Sequence, residues 1–523
     1  MIHFGFSYIG LLFLLMLIIP NINWNQHKPK DYVRYVGNEN KVLLWLERIG
    51  RVLVCCISLI FSDFNVRAIT IWSIWLGLAF LAMLCYEAYW IKYFKSEMRM
   101  EDLYSSFLGI PVAGASLPVI AYFFLGIYGN NIFMLIAAAI FGIGHIGIHL
   151  AHRKEVYFHK KKRGIVGRIV RGFLVVFLTL ILAMITVTIG ARNYNAIKGA
   201  MYGPHSIEEE GYIEINGQKQ YYLIRGDNVN NPIIIWIHGG PASPDTMATF
   251  YLSNELADEY TIIAYNQRGC GRTYFKNLDT DPKNETATFE QLQEDLDCLI
   301  DYALERFGQN KVILTGHSFG TMVGSKYAMD HPEKVSYYIG VGQMGALGSD
   351  LYVFRDAIDI AQNQGDDTTA MEQAISAYQE SSTIESMLTI RELTDAYHPV
   401  EKTRNYIIDT YTSPYMDLDD IRWFLLQLNL SKFVKINQSL FDYIGQEDVY
   451  FYGTEFQMPV GFISGSCDWI TPVQYTKDYY HTITAPKKEM KLIEGWGHML
   501  PLENPKEFAS ALKQMIAELS VNE

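Results

Sequence analysis

Apolar positions fall along this chain in two rhythms that change near residue 200. Before that point they run in long blocks, at about 5–22, 50–65, 68–90, 106–128, 131–151 and 169–190. A bilayer-crossing helix needs about 20 mostly apolar residues, and six such blocks predict an all-α transmembrane bundle over residues 1–195. The first block lacks a basic leader and a small-residue cleavage site, so it reads as a span, not a removable signal. After a linker at 196–207 the runs become short. Tyr212–Ile215 and Tyr221–Arg225 flank Asn216-Gly217, a hairpin signature. Pro232–His238, Thr261–Tyr265, Lys311–Thr315, Val335–Val341, Val460–Ser464 and Met490–Ile493 are short, continuous runs, mostly apolar. Such runs suit strands covered on both faces. Helical periodicity between them, as over Phe289–Phe307, predicts an α/β domain with a mostly parallel sheet over 208–523. The strand signal lapses from about 346 to 455, where charged, helix-compatible sequence predicts a cap.

Charge sharpens the division. Residues 1–200 hold 20 Lys and Arg against 9 Asp and Glu, whereas 201–523 hold 23 against 47. An acidic second half argues against nucleic acid as a partner. In the first half the basic residues gather in alternate loops: Lys28 to Lys41, Lys92 to Arg99, and Arg153 to Arg168 with Lys160, Lys161, Lys162 and Arg163 between. Under the positive-inside rule these loops face the cytoplasm. The second half of the chain is then expected outside a cell membrane crossed several times. Six scattered cysteines show neither a zinc spacing nor a disulfide framework. His145, His149 and His152 share one helical face. They read as hydrogen-bonding groups near a helix end; no metal and no cofactor is expected.

The chemistry lies in the second half. Gly316-His317-Ser318-Phe319-Gly320 matches G-x-S-x-G between a strand and a helix, the context in which a serine is presented as a nucleophile. An acid and then a histidine must follow in chain order. Asp468, after the strand Val460–Ser464, and His498, after Met490–Ile493, occupy those places. The catalytic candidates are therefore Ser318, Asp468 and His498. An oxyanion would be met by the backbone N–H of Phe319 and by one from Gly239 or Gly240 in His238-Gly239-Gly240-Pro241.

Together these residues resemble the α/β-hydrolase superfamily and, more narrowly, the proline iminopeptidase group of serine peptidases. The group's HGGPG turn, DQRGxGxS segment, serine elbow and closing GH segment match His238–Ala242, Asn266–Thr273, Gly316–Gly320 and Gly497–Pro505. Ala242 stands for the turn's last glycine and Asn266 for the aspartate that opens the second motif. The resemblance implies an α/β-hydrolase fold and an aminopeptidase acting on short peptides, with a free amino terminus bound by acidic cap residues; Glu372, Glu380 and Glu385 are available. Arg268 is expected to brace its loop. The other reading open from sequence is an esterase, lipase or acyltransferase acting on ester substrate near the bilayer. Oligomeric state is not encoded in any of these patterns.

Overall fold

The computed structural model describes residues 2–35, 39–157 and 165–520. The chain forms two compact units, Met1–Lys198 and Gly199–Glu523. The first is all helical: α1 (Tyr8–Gln26), α2 (Lys41–Ile60), α3 (Ile74–Phe94), α4 (Ala113–Tyr128), α5 (Ile132–Val156) and α6 (Ile165–Lys198). Side-chain caps set three of the starts. Ser7 accepts from Gly10 N–H at 2.9 Å, Asn40 from Val42 N–H at 2.9 Å, and Asn131 from Met134 N–H at 3.0 Å.

Among the described residues four helices are long and apolar enough to cross a membrane: Tyr8–Gln26, Ile71–Phe94, Ile132–Val156 and Val176–Lys198. Two of the six expected blocks fall short for separate reasons. Helix α4 is apolar but has only 16 residues. Helix α2 begins at its Asn40 cap, well before residue 50, and so takes in Glu47, Arg48 and Arg51. Large apolar side chains point outward along the long helices, including Ile19, Ile22, Leu84, Leu180 and Val187. That pattern suits contact with lipid. Phe13, Val54, Met83 and Tyr122 pack the interior. The basic run Lys160–Arg163 lies outside the described residues. The last helix continues to Lys198, past the expected start of the linker.

Two of the three histidines of α5 have carboxylate neighbours that sequence reading did not place. Nδ1 of His145 is 3.4 Å from Oε1 of Glu47, and His152 lies 3.4 Å from Glu39 and 3.5 Å from Glu155. Among the described residues no three His, Cys, Asp or Glu side chains converge as a metal site.

The second unit is built on one eight-stranded sheet in the order β1-β2-β4-β3-β5-β6-β7-β8. The strands are β1 (Ile207–Ile215), β2 (Gln218–Gly226), β3 (Ile233–Ile237), β4 (Thr261–Tyr265), β5 (Val312–His317), β6 (Val335–Val341), β7 (Val460–Gly465) and β8 (Lys488–Ile493). The hairpin β1–β2 and the β2–β4 pair are antiparallel; every later pairing is parallel. Alternation along β3 supplies both faces. Ile233, Ile235 and Ile237 enter one core, while Ile234 and Trp236 enter the other. The chain passes from β3 outward to β4, then returns to place β5 on the opposite side of β3. That reversal opens a crevice beyond the carboxyl ends of β3 and β5, where ligands bind in open α/β sheets. Between β6 and β7 the chain is helical, from Leu351–Gln364 to Gln438–Gln446.

Candidate active site

The crevice holds the candidate residues because each ends a strand. Ser318 directly follows β5 at φ +53°, ψ −124°, a conformation unfavourable for a residue with a Cβ. It is held there on both sides. Its N–H donates to the carbonyl of Val341 at the end of β6 (2.9 Å), and its carbonyl accepts from Thr321 N–H at 2.8 Å. Phe319 opens the next helix, Phe319–Asp330, so its own N–H has no acceptor within that helix. A Cβ added to Gly239 would come within 2.8 Å of the Ser318 Cβ, so the turn after β3 lies directly against the serine.

Asp468 and His498 meet at the ends of β7 and β8. Nδ1 of His498 is 2.9 Å from Oδ2 of Asp468. Because a carboxylate only accepts, Nδ1 carries the proton and Nε2 keeps its lone pair. The carboxylate is fixed by its own turn: Ile470 N–H and Thr471 N–H donate to Oδ1 at 3.0 Å each, and the Thr471 hydroxyl donates to Oδ2 at 2.9 Å. Burial alone would push this carboxyl up. The neighbouring imidazole, with its hydrogen bond and those from Thr471, outweighs burial and holds the group below its usual range.

Three residues near this pair escaped sequence reading. Thr471 is the first; its hydroxyl also lies 3.1 Å from Nδ1 of His498, and only the Asp-x-x-Thr spacing hints at such a turn. His317 is the second. Its ring lies 4.9 Å from that of His498 and 6.2 Å from that of Trp236, and its Nε2 is 3.1 Å from the His498 carbonyl. That contact makes Nε2 the donor. Burial pushes His317 down to about 3, with the neighbouring His498 adding to the effect, so the ring is neutral. Gly342 is the third. At φ +56°, it is placed so that a Cβ would stand 2.9 Å from the Thr471 hydroxyl, 3.1 Å from Oδ2 of Asp468 and 3.2 Å from Cε1 of His498. No local pattern marks it, because the closeness arises between β6 and β7.

The loops named by motif act as braces. Gln267 N–H donates to Nε2 of His238 at 3.2 Å, and Nδ1 of His238 lies 2.9 Å from the Gly239 carbonyl. Burial takes His238 down to about 4. Arg268 grips buried Asp295 through two bonds, Nε to Oδ2 at 2.7 Å and Nη2 to Oδ1 at 2.8 Å. Arg272 holds Asp420 of the cap at 2.7 Å. Ala242 adopts φ +57°, the conformation that glycine takes at lower cost. The hydroxyl of Thr246 donates to Oδ1 of Asn266 at 2.6 Å.

Ser318, His498, His317, Gly239 and Gly240 all border one cleft of about 760 Å³. Its far wall comes from the cap and the closing segment and is largely apolar, with Ile407, Phe424, Leu428, Met499 and Leu502. Glu372, Glu380 and Glu385 are exposed and lie away from it. Among the described residues the one carboxylate on its lining is Asp245. Its oxygens accept from Nε1 of Trp236 at 3.1 and 3.2 Å, and burial pushes it up to about 6. Among the described residues it makes no ion pair with Lys or Arg.

Comparison with known proteins agrees with this fold. Residues 232–505 match the model of the family described as the alpha/beta hydrolase fold. A probable aminopeptidase, YbaC, of Bacillus subtilis (strain 168) is 24% identical over 308 residues, 58% of this chain and 94% of that protein. The proline iminopeptidase PfmaB of Pestalotiopsis fici is 30% identical over 130 residues, 24% of this chain and 42% of that enzyme. Among solved structures, a proline iminopeptidase-related protein from Thermus thermophilus aligns with a TM-score of 0.41 at 19% identity, over 60% of this chain and 98% of that one. The chain carries an α/β-hydrolase domain resembling the proline iminopeptidases, and it belongs to the α/β-hydrolase fold family.

Proposed function

We propose that this chain is a membrane-anchored serine hydrolase of the proline-iminopeptidase type, removing the N-terminal residue of short peptides. The observation that carries the proposal is the Asp468–His498 bond of 2.9 Å at the cleft that Ser318 borders in its strained turn. Nε2 of His498 takes the Ser318 proton as Oγ attacks the scissile carbonyl. Asp468 holds the tautomer and stabilises the imidazolium. The carbonyl oxygen, now negative, is met by Phe319 N–H and a backbone N–H from Gly239 or Gly240. Collapse of the intermediate expels the leaving amine, protonated by His498, and water then frees the acyl group by the same route. The multi-pass helical unit keeps this chemistry at a cell membrane.

Asp245 supports a substrate with a free amino group. Ionised at neutral pH and buried without a cation, it is costly to keep charged, and a bound ammonium offsets that cost. A second reading, hydrolysis of apolar esters, is favoured by the largely apolar cleft wall, whose Ile407 and Leu428 are 54% and 82% exposed at the rim.

Both readings require Ser318. The Ser318→Ala protein is expected to lose at least about 10³-fold in turnover with an unchanged unfolding midpoint, and to lose labelling by a fluorophosphonate. Full retained turnover rejects the assignment. Proline and alanine naphthylamides, compared with short-chain esters, separate the two readings. Asp245→Asn is expected to raise KM about tenfold for the amides and leave the esters near wild type; equal effects on both substrate classes reject the amine-binding role.

A further inference from the structure

One stretch of the cap, Arg391 to Lys402, touches both loops that carry the proposed acid and base. Trp469 directly follows Asp468. The ring of His398 lies flat on its indole, with centroids 3.8 Å apart and planes inclined by 8°. On the same turn, Nη2 of Arg391 donates to the carbonyl of Ile470 at 3.0 Å. Further along the cap, Lys402 N–H donates to the carbonyl of Gly495 at 2.8 Å, and its ammonium donates to that of Glu494 at 2.8 Å. Lys402 thereby pairs with Trp496 in a short parallel bridge just before His498. We infer that this stretch of the cap positions Asp468 and His498 against each other, with His398 as a positioning residue for turnover. The inference rests on the reading of Ser318, Asp468 and His498 as the catalytic set.

The contacts reach the carboxylate through few bonds. The peptide group between Ile470 and Thr471 accepts from Arg391 at its carbonyl and donates from its N–H to Oδ1 of Asp468, at 3.0 Å in each case. Bonds chained through one peptide polarise and orient each other. His398 is itself fixed. The Thr394 hydroxyl donates to the Ile390 carbonyl at 2.8 Å, so it accepts from Nε2–H of His398 at 3.0 Å. Burial, with Arg391 adding to it, takes this imidazole down to about 4, so a neutral ring covers Trp469 at neutral pH. Trp469 also packs against the small core of the cap, with Phe354 and Tyr378. Arg391 is anchored there by buried Asp350 at 3.1 Å.

The second loop is approached as closely. A Cβ on Gly495 would stand 3.2 Å from Cγ of Lys402, and one on Gly497 would stand 3.5 Å from the Val400 methyls. Arg391, His398 and Lys402 do not border the cleft. Their influence on the reaction therefore passes through the two loops, where a shift of a few tenths of an ångström between acid and base costs turnover about tenfold.

The test uses the full chain in an uncharged maltoside detergent and reads two quantities. One is kcat and KM on whichever of proline naphthylamide and a short-chain ester is turned over. The other is the rate of Ser318 labelling by a small fluorophosphonate, which needs the serine and His498 but little of the cap. His398→Ala is expected to lower kcat and the labelling rate together, each about tenfold, with KM within about twofold of wild type. His398→Phe restores a flat ring over Trp469 and is expected to recover both to within about threefold. Unfolding midpoints are measured for each variant, and His398→Leu, which keeps apolar volume without the ring, replaces His398→Ala if that protein does not fold. A wild-type labelling rate in the variant lacking the ring overturns the inference, as does a rise in KM at constant kcat, or an equal loss in His398→Phe. A wild-type protein that takes no fluorophosphonate on Ser318 rejects the hydrolase reading itself, and the inference with it.

Discussion

The two units treat buried polar groups in opposite ways. In the hydrolase unit the imidazole of His498 and the carboxylate of Asp468 sit 2.9 Å apart, with Thr471 bonded to both and His317 packed against the ring. In the helical unit His145 and His152 stand 3.4 Å from their nearest carboxylates. Short, fully answered bonds preorganise groups for a reaction whose geometry must not drift. The first pair is held by short bonds from its own turn, whereas the second set is held more loosely.

Perturbations of the hydrolase site test this contrast. The largest effect is expected for Asp468→Asn, which keeps shape but lets Nδ1 lose its proton to the wrong tautomer. Turnover should fall about 10⁴-fold while the unfolding midpoint moves little. A loss below tenfold would mean that His498 is oriented by Thr471 and His317 alone, and the comparison would weaken.

Acid stability comes next. His238 and His317 are held down to about 4 and about 3 by burial, so the folded hydrolase unit refuses protons that the unfolded chain accepts below about 6.5. Their contribution is fully present above 6.5 and is lost as pH falls toward 4. Asp468, also depressed, acts in the same direction at lower pH. Asp245, raised to about 6, opposes them: its burial cost shrinks as pH falls through 6. Two histidines taken from 6.5 down to about 4 and about 3 outweigh one carboxyl taken from 3.8 up to about 6, so stability should drop by about 2–4 kcal/mol between pH 6.5 and 4. Denaturant unfolding across that range checks the sign. A flat profile would show that neither histidine is held neutral.

The smallest effect, and the most diagnostic of preorganisation, is expected from Gly342→Ala. A single methyl pressed within 3.2 Å of Thr471, Asp468 and His498 must displace them by a few tenths of an ångström. Turnover should fall about tenfold at nearly constant KM. A change in KM alone would indicate that the pair tolerates displacement.

What the amino-acid order determined by itself was local or periodic. The run Ile233–Ile237 suited a strand covered on both faces, and Phe289–Phe307 carried its helical stripe. The serine turn, the later Asp468 and His498 and the two-part organisation were equally legible, because each rests on spacing within a few residues or on chain order. The extent of α2 was not: an asparagine cap at residue 40 overrode the apolar block and drew Glu47, Arg48 and Arg51 into the helix. Only the folded chain decided which groups touch across long separations. Gly342 and Thr471 crowd His498, Glu47 meets His145, and Asp245, not the exposed cap glutamates, borders the cleft, because contact between distant strands and helices follows from how they pack, and packing leaves no period in the sequence.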